Sequence, residues 1–414
     1  MYHGAYGHTL ETPDRRLGEL TVDAHYAAVW GALNYIVENR EPMIRDQVEI
    51  FRRGALDLPQ QMIPQGILDE TAYDQFNEMT IQEFPAAYII PASEPFQVSA
   101  HQPARLVDFL LFNGVEVEQA TKAFSMAGTE YPKGTYIVWL DQPKRGLANT
   151  ILDAGSDLSD IEGLVFYSPP SVWSHPFLWG VNLAVMEEKV DVSTSRVNKA
   201  DAPQGWAEGG KAGAYAYLPT SLAAFQAANE LLARGESLYR VPESFSDMGR
   251  DFLAGAIVVP ADPSLANELA NQFGLQVFKL AEMPAAAVEM TQQRIAVYGD
   301  EGVRHSLEVL GFDFDTVGTS DINSGAIANY DVFINRDLRW SRIDADGKAS
   351  VSAWFAAGGD YIGLGYRGRA IDFANDAGWT SVDYGYIAGN AIFEIDYDPS
   401  DPVAAGFGLS LIHI

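Results

Sequence analysis

The chain has 414 residues, with 27 Lys/Arg against 56 Asp/Glu, a formal charge of −29 and no cysteine. That length accommodates two to four domains with ample cores, and a hydrophobic share of 47% fits a globular rather than a disordered chain. The acidity opposes binding to nucleic acid and anionic lipid, the missing cysteines exclude disulfides, thiolate metal sites and a cysteine nucleophile, and no uncharged apolar run reaches the roughly 18 residues of a membrane helix.

Residues 1–55 hold 6 Lys/Arg against 8 Asp/Glu, or −2, and the other 359 hold 21 against 48, or −27. The charge therefore belongs to the later segments. It suits solubility in a salty or extracellular setting, and leaves binding of cations or basic partners as the alternative.

Residues 1–13 read as the end of a loop and a strand carrying a carboxylate, Glu11. No charged lead, apolar h-region or capped first element precedes them, so the opening reads as the interior of a domain. Val22, Tyr26, Val29, Leu33 and Ile36 then recur at spacings of 4, 3, 4 and 3, the apolar stripe of a helix on a core. Asp23 in the first turn suits the helix dipole. Pro42 is expected to stop or kink this helix. Ile44, Val48 and Phe51 continue as a second helical piece, ended by Arg52-Arg53-Gly54. Residues 56–84, with Pro59, Pro64 and little periodicity, read as a connector.

Residues 85–290 contain an internal repeat. Phe124–Val138 recurs 121 positions later, from Phe245 (245 − 124 = 121), with Gly128 and Gly134 matched by Gly249 and Gly255. The match extends upstream: Ala87–Pro91 and a helix over Ala104–Asn113 parallel Ala214–Pro219 and a helix over Leu222–Ala233. Each copy reads strand, helix, strand, turn, strand, and such a unit needs a neighbour to bury its face. The glycines mark turns that need positive φ. Between the copies lie an aromatic stretch, Val172–Trp179, and a polar linker around 191–213. Residues 85–190 are taken as the first accessory unit and 191–290 as linker plus second unit.

In residues 291–414, strands read at Arg294–Tyr298, Phe314–Val317, Tyr330–Ile334 and Tyr361–Leu364, with helices near Val303–Leu310 and Val351–Ala357. Alternating strands and helices predict a parallel, doubly wound sheet. Gly408–Ile414 carries no natural stop signal and reads as foreign sequence.

The segment Gly7–Pro13, together with the helix from Val22, resembles the end of the catalytic domain of zinc carboxypeptidases of peptidase family M14. There a strand of the form T-x-E carries the catalytic glutamate and a long final helix packs on the sheet. Ala87–Pro91, Tyr131–Tyr136, Leu140–Pro143 and Trp173–Trp179 resemble the C-terminal extension of large secreted bacterial members. The last segment resembles a class I glutamine-amidotransferase-like domain. The fold class so implied is α/β: the tail end of a zinc-carboxypeptidase domain, duplicated α/β units, and a flavodoxin-like (amidotransferase-like) parallel-sheet domain. The resemblance further implies a peptide or protein substrate, a secreted or periplasmic setting, and zinc as cofactor. In that chemistry zinc lowers the pKa of its bound water and a glutamate takes the proton. Glu11 is the residue that matches this glutamate. An ordinary salt-bridged or exposed strand-end glutamate is the competing reading.

The family's H-x-x-E zinc pair, distant zinc-binding His and substrate-holding Arg and Tyr all lie upstream of the catalytic glutamate, so the resemblance places none of them in this chain. His8-Thr9-Leu10-Glu11 fits the H-x-x-E string by itself, but positions i and i+3 of a strand face opposite sides. His305-Ser306-Leu307-Glu308 fits it too, inside a helix. His25 reads as a packed or solvated helix residue, and His3 and His8 as neighbours of the cleft without a role. After the strand Tyr361–Leu364, active amidotransferase-like domains carry a Cys nucleophile; Gly363–Gly368 here holds neither Cys nor Ser, so this domain reads as non-catalytic. Tyr167, Trp173, Phe177 and Trp179 read as a packed seam, with a sugar or peptide platform as alternative. The rival functional reading is a non-catalytic binding or scaffold module in which Glu11 is incidental. A sugar hydrolase would need paired carboxylates, and no motif supplies them.

Overall fold

A computed structural model describes residues 18–59, 83–93, 95–155, 174–201, 203–364 and 368–383, with the backbone of 392–395 and 410–413. Glu11, His3 and His8 lie outside the described residues.

The first element, α1, is one helix of 37 residues, Glu19–Ala55. It runs through Pro42, where a stop or kink and a second piece were expected. Proline removes one backbone donor and crowds the carbonyl four residues back, Glu38. Both residues are exposed, so water can satisfy that carbonyl, and just upstream the side chains of Asn39 and Arg40 donate to the Tyr35 and Val37 carbonyls at 2.9 and 3.0 Å. The expected stripe is present but uncovered. Val22, Tyr26, Val29, Leu33 and Ile36 are 45–71% exposed. Among the described residues, the C-terminal end is the part of α1 seated on the first unit. Gly54, read from sequence as a helix terminator, is inside the last turn and buried against the Gln142 and Pro143 carbonyls. Nearby, Lys144 lies 5.1 Å from the Phe51 ring, and the buried Arg145 donates to the Leu58 carbonyl and stands 4.5 Å from the Phe84 ring.

The first unit comprises β1 (Ala87–Ile90), α2 (His101–Phe112), β2 (Val117–Ala120), β3 (Phe124–Met126), β4 (Thr129–Tyr131), β5 (Tyr136–Trp139), α3 (Arg145–Leu152), α4 (His175–Trp179), β6 (Ala184–Met186) and β7 (Thr194–Val197). Its five-stranded sheet has the order β6-β1-β5-β2-β7, antiparallel throughout. Strand alternation sends Tyr88, Ile90 and Val138 towards the helices with Leu106, Leu110 and Leu147, and Ala87, Ile89 and Ile137 towards the hairpin β3–β4 with Met126 and Tyr131. Each fully buried Leu or Ile is worth about 1.5–3 kcal/mol here.

The second unit repeats this plan with β8 (Trp206–Ala207), β9 (Ala214–Tyr217), α5 (Leu222–Ala233), β10 (Leu238–Arg240), β11 (Phe245–Asp247), β12 (Arg250–Phe252), β13 (Ile257–Pro260), α6 (Pro263–Phe273), β14 (Gln276–Leu280) and β15 (Val288–Met290). The sheet order is β15-β10-β13-β9-β14-β8. Superposed on the first sheet, β9, β10 and β13 take the places of β1, β2 and β5. Both covering hairpins turn on two residues of positive φ, Ala127 (48°) with Gly128 (81°) and Met248 (49°) with Gly249 (77°), the signature of a type I′ turn. The duplication read from sequence is thus present in topology, register and turn geometry. The stretch read as a polar linker contributes edge strands to both sheets, β7 to the first and β8 to the second.

The last described region holds β16 (Ile295–Tyr298), α7 (Glu301–Leu310), β17 (Asp315–Thr316), α8 (Thr319–Asn323), β18 (Val332–Asn335), α9 (Ala345–Ala356), β19 (Asp360–Gly363) and α10 (Arg369–Asp376). Its four strands are all parallel, in the order β17-β16-β18-β19. Val303 and Leu307 of α7 cover Ile295 and Val297 on one face, while Ile322, Val351, Trp354 and Phe373 cover Ala296 and Phe333 on the other. Asn229 and Gln226 of α5 donate to the Leu310 and Val309 carbonyls at 2.9 and 2.6 Å, joining this region to the second unit. β20 (Ile392–Ile395) and β21 (Ser410–His413) pair antiparallel, so part of the tail read as foreign forms a strand. The chain is therefore mixed α/β with several sheets, one of them parallel. Among the described residues no helix is long and apolar enough to cross a membrane.

Candidate functional site

The sequence-predicted catalytic residue, Glu11, lies outside the described residues, as do Tyr167, Trp173 and the centre of the glycine turn after β19, residues 365–367. Among the described residues, no group of three or more His, Asp or Glu is placed to hold a metal. His25 is half-buried on α1, and His305 and Glu308 are exposed on α7. Trp179 packs edge-on against Phe109 (5.3 Å) and His175 (5.4 Å), with the Arg105 guanidinium 4.8 Å from its ring. These contacts pack α4 on α2 within the first unit and form no inter-domain seam among the described residues. Phe177 stays 41% exposed beside them.

A cleft of about 320 Å³ opens where the two duplicated units meet. Its first wall is the loop into α2. Ser99 Oγ accepts from the His101 backbone N–H at 3.3 Å, and the His101 ring Nε2 donates to the Phe273 carbonyl at 2.9 Å across the junction. This assigns the ring proton to Nε2. The second wall comes from the second unit: the end of β9, the start of α5 and the strand β12. Ser221 caps α5 by accepting from the Ala224 N–H at 3.2 Å. Arg250 lies 3.9 Å from the Phe278 ring centre, within reach of Glu208 at 3.9 Å.

Tyr217 is the unusual member of this lining. It is 1% exposed, and its hydroxyl has no hydrogen-bond partner among the described residues. Burial pushes its pKa above the ordinary tyrosine value, so it stays a neutral donor. A buried hydroxyl left unpaired costs about 1–3 kcal/mol. The cleft also presents Gln204, Gln276 and Asp251. With the His101 Nε2 proton engaged by a backbone carbonyl, the other ring nitrogen, Nδ1, is left as an acceptor and faces the Ser99 hydroxyl at a long 3.5 Å. Its residues sit between positions 93 and 278, and sequence spacing could not gather them. The one local signal was Tyr217-Leu218-Pro219 at the end of a repeated strand.

No family model, no curated protein and no solved structure matches the chain.

Proposed function

We propose that the chain is part of a zinc metallocarboxypeptidase, with Glu11 as general base and the two α/β units and the parallel-sheet domain, flavodoxin-like in strand order, as non-catalytic extensions. The observation that carries this reading is the uncovered apolar stripe of α1. Helices of this kind draw most of their stability from packing an amphipathic face, and an apolar surface of this extent marks an interface. The resemblance supplies the occupant: a catalytic-domain sheet whose last strand holds Glu11 just ahead of the helix. The described residues hold no metal-binding group. The reading takes the zinc ligands from the resemblance, which puts them ahead of the glutamate in the family.

The test is zinc content and carboxypeptidase activity on this chain and on the protein extended upstream of Met1, each with Glu11→Gln. The expected result is zinc in the extended protein alone, and a Glu11→Gln loss of about 10²–10⁴-fold in hydrolysis with zinc retained. Full activity in that variant would remove Glu11 from the chemistry. Absence of zinc from both proteins would retire the peptidase reading in favour of a second one, a ligand-binding module. The cleft with the unpartnered Tyr217 hydroxyl favours that second reading.

A further inference from the structure

The parallel sheet contains a second crevice, independent of both readings above. From β16 the chain moves through α7 to β17 on one side, then returns past β16 to β18 and β19 on the other. The order therefore reverses between β16 and β18. In open parallel sheets, ligands bind outside the carboxyl ends of the strands at that reversal. A crevice of about 490 Å³ lies there, lined by Tyr298, Thr319, Asp337, Arg339, Arg342 and Arg369.

Its charge is the opposite of its surroundings. Residues 291–414 hold 8 Lys/Arg against 18 Asp/Glu, or −10. The crevice sets three arginines against one aspartate. A fourth, Arg336, stands at the end of β18 and pairs with Asp300 at 2.9 Å. The geometry is held in advance. Asn335 is fully buried; its amide donates to the Leu338 carbonyl (3.1 Å) and accepts from the Leu338 N–H (2.8 Å), fixing the turn that leads to Arg339. Asp337 and Arg369 pair at 3.3 Å, which orients the guanidinium from α10. Guanidinium groups converging from separate segments match an oxyanion with several acceptor oxygens, and Arg presents paired donors to phosphate. The volume falls within the range of small-molecule sites, about 300–1,000 Å³, and exceeds a bare inorganic ion.

We propose that the arginine-lined crevice at the carboxyl ends of β16 and β18 binds a small molecule through a phosphate group. The experiment is calorimetric titration of the whole chain with inorganic pyrophosphate, and separately with citrate, at constant ionic strength. The expected result is saturable pyrophosphate binding that exceeds citrate binding at least tenfold. The double variant Arg339→Gln/Arg342→Gln should weaken it at least tenfold. Both positions are exposed, so the fold should survive, and circular dichroism checks it. Arg294→Ala removes a charge at the opposite end of β16 and should leave binding unchanged. Citrate binding as tight as pyrophosphate, no pyrophosphate binding, or equal loss in Arg294→Ala would each overturn the proposal.

Discussion

Gly31 and Gly54 lie in the same helix, and the same substitution should act on them with opposite sign. Replacing glycine by alanine in a helix interior stabilises it by about 1 kcal/mol through backbone entropy and propensity. At Gly31 a Cβ meets nothing within 4 Å, so Gly31→Ala should deliver that full gain. At Gly54 a Cβ would overlap the Gln142 carbonyl oxygen and lie 3.2 Å from the Pro143 carbonyl oxygen. Both neighbours are backbone and cannot rotate away. Overpacking of this kind costs about 1–3 kcal/mol, which leaves Gly54→Ala neutral to about 2 kcal/mol destabilising after the propensity gain. Gly54→Val, with more bulk, should exceed that cost. The readout is hydrogen exchange of peptides from α1 and from residues 140–152. Gly31→Ala should slow exchange in α1. Gly54→Ala should quicken it in the last turn of α1 and around Arg145. Slower exchange at both sites in Gly54→Ala would show that the end of α1 is not seated on the first unit, and would refute the reasoning.

The two type I′ turns offer a matched pair of stabilising changes. Ala127 and Met248 hold positive φ at a cost of about 1–2 kcal/mol, which asparagine tolerates better; Ala127→Asn and Met248→Asn should each raise stability by about 1 kcal/mol in urea unfolding, and a fall in midpoint would count against the turn assignment. The Arg294–Asp331 pair predicts a pH effect. Side-chain bonds from Arg294 at 2.6 and 3.0 Å, with its backbone N–H, hold the Asp331 carboxyl at about 2. Because the folded value lies below the unfolded one of about 3.9, its stabilisation is present above about pH 4 and is lost as pH falls towards 2. Arg294 is well exposed and Asp331 half-exposed, so solvent screening keeps the contribution small. Arg294→Ala should flatten this part of the acid limb of a melting-temperature profile, and superimposable limbs for the two proteins would contradict the assignment.

Local periodicity carried most of what the sequence made legible. The 4, 3, 4, 3 spacing marks the first half of α1, and the recurrence after 121 positions marks the strand, helix and hairpin turn shared by the two units, though not α3, α4, α6 or the edge strands. What periodicity cannot carry is pairing. The antiparallel core of the two sheets, to which β8 adds a parallel edge, depends on contacts between β1 and β5 or β9 and β14, whose partners are far apart along the chain. Pro42 was read by its local cost, whereas exposure of the Glu38 carbonyl to water lowers that cost. Gly54 was read as a terminator because glycine follows two basic residues; its reason is a close approach to Gln142, 88 positions later (142 − 54 = 88). Arg336, Arg339 and Arg342 carry no motif in the sequence. Only the carboxyl edge of the sheet sets two of them opposite Arg369. The matched glutamate, Glu11, rests on its motif alone.

A 37-residue helix seated on the first unit by its C-terminal end has the length of a lever. Its length is about 55 Å at 1.5 Å per residue, and its fulcrum is the patch where Gly54, Phe51 and Leu58 meet residues 142–145. A tilt of about 10° at that fulcrum carries the Glu19 end through about 10 Å. A methyl group added at Gly54, where the helix meets backbone, therefore acts on the far end of the helix without touching it.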